Sequence, residues 1–498
     1  MTRYLLELTL RNPATGTDTV LRLTERSSYT TRPADTPAQA WYKPYAKRLV
    51  NYETDLFAGG KSYGGGGGSV GEALLNNASR WLDPYQGYAW RSARILQGPL
   101  GRFVPYSAFT AILSLSIAGR DYVGDEVSVR FREGRAAWDR VIPRATYAGT
   151  NSGPVGLEGN ADLAGRVKPL VLGFGLGCPV EWVNPSLLIA QWHNGPVDSL
   201  LGVTTGGASV TYAGDVGSGI TIVSLPMTAG TFVSDNSRGL IRFASQPLRK
   251  VAVDGFVLST PNVTNCAAQV AALFGSSDPI SFESGFGGRI MGWLPDDGAT
   301  GSDVLDAMAA GAAAWWRVDQ TGTLRGGLVP DLTGAATFTI AERDIAAMDL
   351  TSSGDEWGDV PVWRVVVEYS PNWTVLAESE IDPSVTSPAT RRSLMRDWRF
   401  EAVAEDAAVV AAFPDARELR VQAPVISGST ANEIAARLLT LHGVPRSRWI
   451  ATVSARIAPG SMPAGRIGNT TWRGQALKFL HTGTGTEDGR SFSLRMFE

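Results

Sequence analysis

Apolar and polar residues alternate from the start of the chain. Between Tyr4 and Leu23, two alternating runs flank Asn12-Pro13-Ala14-Thr15-Gly16, and a period of two around turn-forming residues predicts a β-hairpin. The alternation returns at Phe109 to Ala118 and at Glu126 to Glu133, where Val127, Val129 and Phe131 would share one face of a sheet. From Leu157 to Phe243 the chain is dense in Gly, Pro, Val and Thr, with short apolar runs between turns. Trp449 to Ile457 and Ser491 to Phe497 again read as strands.

Helical spacing occurs in three places. Thr264 or Asn265 can cap a helix whose apolar face uses Ala267, Val270, Leu273 and Phe274 before Gly275 ends it. A second runs from Ser302 to about Trp315, with Val304, Leu305, Met308, Ala312 and Trp315 at three- and four-residue steps. A turn at Asp319 and Gly322 follows, between strands. The third, about 430–442, has Thr430 and Glu433 as a capping box and a stripe of Ile434, Leu438 and Leu441, and Gly443 with Pro445 stop it.

These elements give a mainly β fold with a minor α/β part: several small barrel or sandwich domains with a few short packing helices. At roughly 100 to 200 residues per domain, 498 residues make three or four of them. We place them at 1–145, a β-rich N-terminal domain; 146–255, a β-rich middle domain; 256–350, an α/β domain; and 351–498, a C-terminal β domain with one helix. The 56 Gly, 28 Pro and 15 Trp fit short strands, tight turns and aromatic plugs. Gly64 to Gly68 are five consecutive glycines inside the segment Gly59 to Gly68. With no Lys-Ser or Lys-Thr after them they predict a mobile loop rather than a phosphate cradle.

Net charge is −3 without a long basic run, which removes the electrostatic footprint of a dedicated nucleic-acid binder. Cys178 and Cys266 lack the spacing of a zinc site or disulfide framework and read as buried free thiols. His193, His442 and His481 stand far apart, with no metal-ligand spacing. GFGLGC at Gly173 to Cys178 misses a dinucleotide fingerprint, because Pro179 follows directly and no helix pattern lies behind it. We see no signal peptide, and no apolar stretch approaches the roughly 20 residues a membrane span needs. Asp296, Asp297, Asp303 and Asp306 gather near Trp293 as a glycosidase pair with a sugar-stacking ring would. Turn chemistry at Asp296-Asp297-Gly298 and a helix N-terminus at Asp303 and Asp306 explain them more simply. We therefore expect no catalytic, cofactor-binding or metal residue, and no enzyme.

Several phrases, in order along most of the chain, carry a resemblance. They are Gly71 to Trp90 with Arg94 to Gly98; Tyr147 to Thr150 and Leu157 to Gly159; Asp162 to Leu176, continuing through Val183-Asn184-Pro185 to Ile189; Val304 to Ala307 through Ala314-Trp315-Trp316, then Asp319, Gly322 and Leu324-Arg325-Gly326; Trp363 to Val365 and Asn372 to Thr374; and Ala431 to Val444 with Gly489 to Phe497. Together they resemble the tail-tip or baseplate hub proteins of long-tailed bacteriophages and of gene transfer agents. The resemblance implies a structural virion protein at the tail tip, made in the host cytoplasm, that forms a homo-oligomeric ring, a trimer. The ring would join tube to tip and line or gate the channel through which DNA leaves, without reading DNA sequence or inserting stably into a membrane. Distal tail or tube proteins, tail fibres and the tape measure would be its partners. Trp41, Trp81, Trp90 and Trp182 sit in loop-rich segments and are candidate contacts. Two alternatives stand beside this reading: a tip-borne cell-wall hydrolase using the carboxylates near Trp293, and a receptor module binding host carbohydrate through exposed Trp.

Overall fold

A computed structural model describes residues 2–25, 27–49, 52–57, 63–101, 103–151, 157–217, 221–319, 321–351, 360–454, 464–486 and 491–497. The opening hairpin is present as Thr2–Arg11 paired with Asp18–Thr24. It begins a seven-stranded sheet that continues through Ala89–Pro99, Thr110–Val123, Glu126–Arg132, Glu72–Asn76 and Ala46–Arg48. Alternation works as expected: Leu6, Leu8, Leu10, Val127, Val129 and Phe131 point into one core. The far edges approach each other at a bridge between Leu23 and Lys43, with Lys43 N–H donating to Arg22 O at 3.0 Å. The sheet thus wraps its core, although no closed barrel forms among the described residues.

Two smaller sheets follow. One runs Phe174–Cys178, Val251–Phe256, Ser199–Thr205, Ala208–Ser209; the other Glu181–Asn184, Ile189–Gln191, Leu240–Phe243, Thr231–Asp235, Thr211–Asp215. The GFGLGC motif is a buried strand with no helix behind it. At Gly173 φ is +69° and a side chain would collide with Met291 O, so glycine is required there by packing and not by a nucleotide.

The largest core spans residues from Leu56 to Leu480 and takes in all three helices. The first is Val263–Leu273, capped by Asn262, whose Oδ1 accepts from Asn265 N–H at 2.8 Å, and not by Thr264 or Asn265. Burial of Val263 and Cys266 carries its apolar face to the very start of the helix, while Leu273 stays on the rim. The second is Gly301–Ala310, with a capping box from Thr300 and Asp303. It ends well before Trp315: Ala313 turns left-handed at φ 51°, and Trp315 and Trp316 sit on the strand Ala314–Val318, whose inward positions mimicked helical spacing. Asp319 and Gly322 form the expected turn to the strand Leu324–Leu328. The third, Gly428–His442, buries Ile434, Leu438 and Leu441 as expected. Its N-cap is Ser427, so Thr430 lies inside the first turn and the Thr430–Glu433 box is not made; Glu433 pairs with Arg289 at 2.6 Å.

The C-terminal sheet orders Phe338–Ile340, Ile467–Trp472, Gln475–Thr486, Ser491–Phe497, Arg448–Ser454 and Ile345–Thr351. Its two edge strands are joined by the four residues 341–344, which hold one end of each edge close to the other. Helix Gly428–His442 lies instead on a separate three-stranded sheet, Trp398–Glu405, Val362–Pro371, Arg417–Ala423.

The glycine run departs most from expectation. Residues 58–62 lie outside the described ones, but Gly64–Gly65 form a buried strand parallel to Trp315–Trp316. Gly67–Val70 then pair with Tyr52–Asp55, which pair in turn with Gly483–Thr486 of the C-terminal sheet. A mobile loop is what five glycines predict locally. Here their missing side chains permit an approach no other residue could make, because a Cβ on Gly65 would fall within 3.0 Å of Asp306 Oδ1, Arg135 Nη1 and Trp316 Cε2. Gly65→Ala should therefore lower stability by about 1–3 kcal/mol through overpacking, whereas Gly87→Ala, with nothing within 4 Å of its Cβ, should change it by less than about 0.5 kcal/mol. Urea midpoints of the two variants check this.

Candidate assembly joint and surface aromatics

Where the glycine strand enters, one polar network ties three parts of the chain together. Arg135 pairs with Asp306 at 3.0 Å, donates to Gly66 O at 3.0 Å, and lies 5.0 Å above the Trp316 ring. Asp306 also accepts from Trp316 Nε1 at 2.7 Å, and Asp139, 3.3 Å from Arg135, accepts from Ser302 Oγ at 2.5 Å. Arg135 is mostly buried, so a planar donor fork with several partners gains more here than an exposed ion pair would. The network fixes the turn after the first sheet onto helix Gly301–Ala310 and onto the glycine strand.

This accounts for the carboxylates near Trp293. Asp306 is committed to Arg135 and Trp316, and Asp303 is held in the helix cap by Thr300. Asp296 and Asp297 are exposed beside Gly298, at φ 86° in the turn. Trp293 stands edge-on to Trp373 at 5.2 Å and bridges to Leu172. Each of Asp303, Asp306 and Trp293 thus has a packing or capping role.

The four nominated tryptophans divide. Trp90 belongs to the core of the first sheet and donates to Tyr85 O at 3.1 Å, so it is no surface contact in this fold. Trp182 packs on Phe243 at 5.9 Å, and Trp81 donates to Asn76 O at 2.8 Å beside Tyr45. Only Trp41 is largely exposed, at 55%, with Lys43 over its ring.

The histidines and cysteines are interior. His193 accepts from Val171 N–H at 3.1 Å, which requires a neutral ring, and burial pushes its pKa down to about 4. Burial, helped by nearby Arg446, pushes His442 down to about 3. His481 Nε2 lies 3.0 Å from Gly483 O. Cys178 and Cys266 are buried free thiols, and burial raises Cys266 to about 12. No cluster of metal-ligating residues occurs among the described residues, nor is any helix among them long and apolar enough to cross a membrane. Sequence reasoning missed two groups. Arg135 carries no motif, and Asp55, raised to about 6 by burial, looks in sequence like any strand carboxylate.

No family model matches this sequence, and no curated protein matches it. Among solved structures, it is similar to the tail protein from Neisseria meningitidis MC58, at 10% identity and TM-score 0.45, covering 99% of this chain and 96% of that one. A prophage tail protein from Listeria monocytogenes EGD-e gives 6% identity and TM-score 0.42 over 99% and 94%. A chain of the native gene transfer agent virion gives 13% and 0.44 over 74% and 92%. Likenesses this distant carry no functional weight.

Acid should loosen this molecule, and the histidines set the sign. Below pH 6.5 the unfolded chain binds protons that buried His193 and His442 refuse, so stability falls between pH 7 and pH 5 by about 2 kcal/mol per histidine. Asp55 works the other way: its raised pKa makes the folded state bind a proton first, a contribution lost as pH rises through about 6. Two histidines outweigh one aspartate. The net slope should be destabilising on acidification, and His193→Gln should flatten it, read as urea midpoints across that pH range.

Proposed function

We propose that this chain is a structural virion protein of a phage tail tip, a baseplate hub component and not an enzyme. In this reading it assembles with copies of itself, as a trimer, into a ring that connects tail tube to tip and lines or gates the DNA exit channel. Tube or distal tail proteins, tail fibres and the tape measure are its neighbours. The four regions 1–145, 146–255, 256–350 and 351–498 are the working division of the chain.

The observation that carries the proposal is the pair of described segments Tyr52–Phe57 and Tyr63–Val70. Lying between the first-sheet strands Ala46–Arg48 and Glu72–Asn76, they pair with the last sheet through Tyr52–Asp55 on Gly483–Thr486 and with the central hairpin through Gly64–Gly65 on Trp315–Trp316. A connector in a channel wall must transmit load between its ends, and a segment whose strands pair into two other sheets does that better than a flexible linker. The resemblance in sequence runs in the same order along the chain. Mild acidity suits a wall that passes DNA without gripping it.

Removing the protein from an otherwise complete particle tests this. A hub predicts that tail tubes accumulate without a tip and no infectious particle forms. Intact tails that merely fail to adsorb would replace the proposal with a receptor module, and intact tails that lose only peptidoglycan clearing would replace it with a hydrolase.

A further inference from the structure

The three-stranded sheet under helix Gly428–His442 ends in the edge strand Trp398–Glu405. Eight residues long, it pairs in unbroken register with Val362–Pro371 from Glu405 opposite Arg364 to Phe400 opposite Tyr369. No strand lies on its outer side among the described residues. Soluble proteins usually blunt such an edge with Lys, Pro, a bulge or a covering element, and this one has no Lys, Pro or Gly and no register shift between Phe400 and Glu405. Instead Val403 is 42% exposed on the face away from the helix, and Phe400 is 48% exposed on the other. The chain then enters Ala407–Ala412, a helix of Ala and Val only with no buried residue, and reaches exposed Phe413.

The charges around this edge select what can cover it. Glu401 and Glu405 flank Val403 on one face, and exposed Asp406 follows. Their ion-pair partners are half-exposed or distant: Arg396 at 3.4 Å from Glu401 and Arg364 at 3.8 Å from Glu405. Such pairs are weak and easily exchanged. A second copy offering the same edge would set carboxylates of both strands close together.

We propose that Trp398–Glu405 is a docking edge for an extended strand of a different tail protein, one that alternates Lys or Arg with apolar residues. Backbone bonds of the added strand complete the sheet, its basic side chains meet Glu401 and Glu405 and lay their aliphatic stems along Val403 between them, and its apolar ones cover Phe400 on the opposite face. The helix Ala407–Ala412 and Phe413 extend the apolar footprint. The inference rests on the tail reading above and names a surface and partner class for it.

Two experiments on the particle test it. With a photocrosslinker on Val403→Cys, the assembled particle should yield an adduct to another protein at a segment alternating basic and apolar residues. An adduct to a second copy, to an acidic segment, or none at all overturns the proposal. Glu401→Lys with Glu405→Lys should lower incorporation at least tenfold while leaving the melting temperature of the free chain unchanged, and normal incorporation would also overturn it. If wild-type chain is missing from particles altogether, the tail reading itself has failed, an outcome distinct from incorporation without the adduct.

Discussion

Backbone-to-backbone approach at Gly64 to Gly66 is the constraint on which the rest of this structure depends. Gly65 can lie against Trp316 only without a side chain, because Asp306, Arg135 and Trp316 already fill the space its Cβ would need, while Gly64 takes a φ of +100° and a Cβ on Gly66 would meet Asp55 O and Arg317. Once there, its neighbours in sequence must pair onward with Tyr52–Asp55 and the C-terminal sheet. The chain between two strands of the first sheet is thereby paired to the central hairpin and to the last sheet. Glycine loses the most conformational entropy on ordering, so the glycine strand holds only because the surrounding core supplies a ready-made slot.

That slot is polar as well as apolar. Arg135 brings a buried guanidinium to the strand, and Asp306, Asp139, Gly66 O and the Trp316 ring satisfy it. Partly satisfied, such a network would destabilise; with these partners it specifies one arrangement of sheet, helix and strand. Of the carboxylates near Trp293, Asp306 is the one that holds this joint. The sheets at either end bury their aliphatic faces and leave edges and loops for contact, which is what a connector needs.

Much of the fold is legible in the sequence because period-two alternation is a local signal. The opening hairpin and Val127, Val129 and Phe131 follow directly from it, and the stripe of helix Gly428–His442 follows from the equally local three- and four-residue spacing. Failures occur where a distant partner decides. Glu433 pairs with Arg289, 144 residues earlier, on a helix that starts at Gly428, Trp315 leaves a helix for a strand, and Gly64–Gly65 order against Trp315–Trp316 far along the chain. Asp306 was visible, but its partner Arg135 lies 171 residues earlier, a distance over which spacing gives no information. The exposed edge Trp398–Glu405 was equally hidden, since nothing local says which strand of a sheet is last.

Cryo-electron microscopy of the intact particle tests the central claim most directly. The account predicts this chain as a closed ring around the tail axis between tube and tip, with three copies and the first and last sheets both contributing to the wall. Density at peripheral fibres, or none in the mature particle, would contradict it.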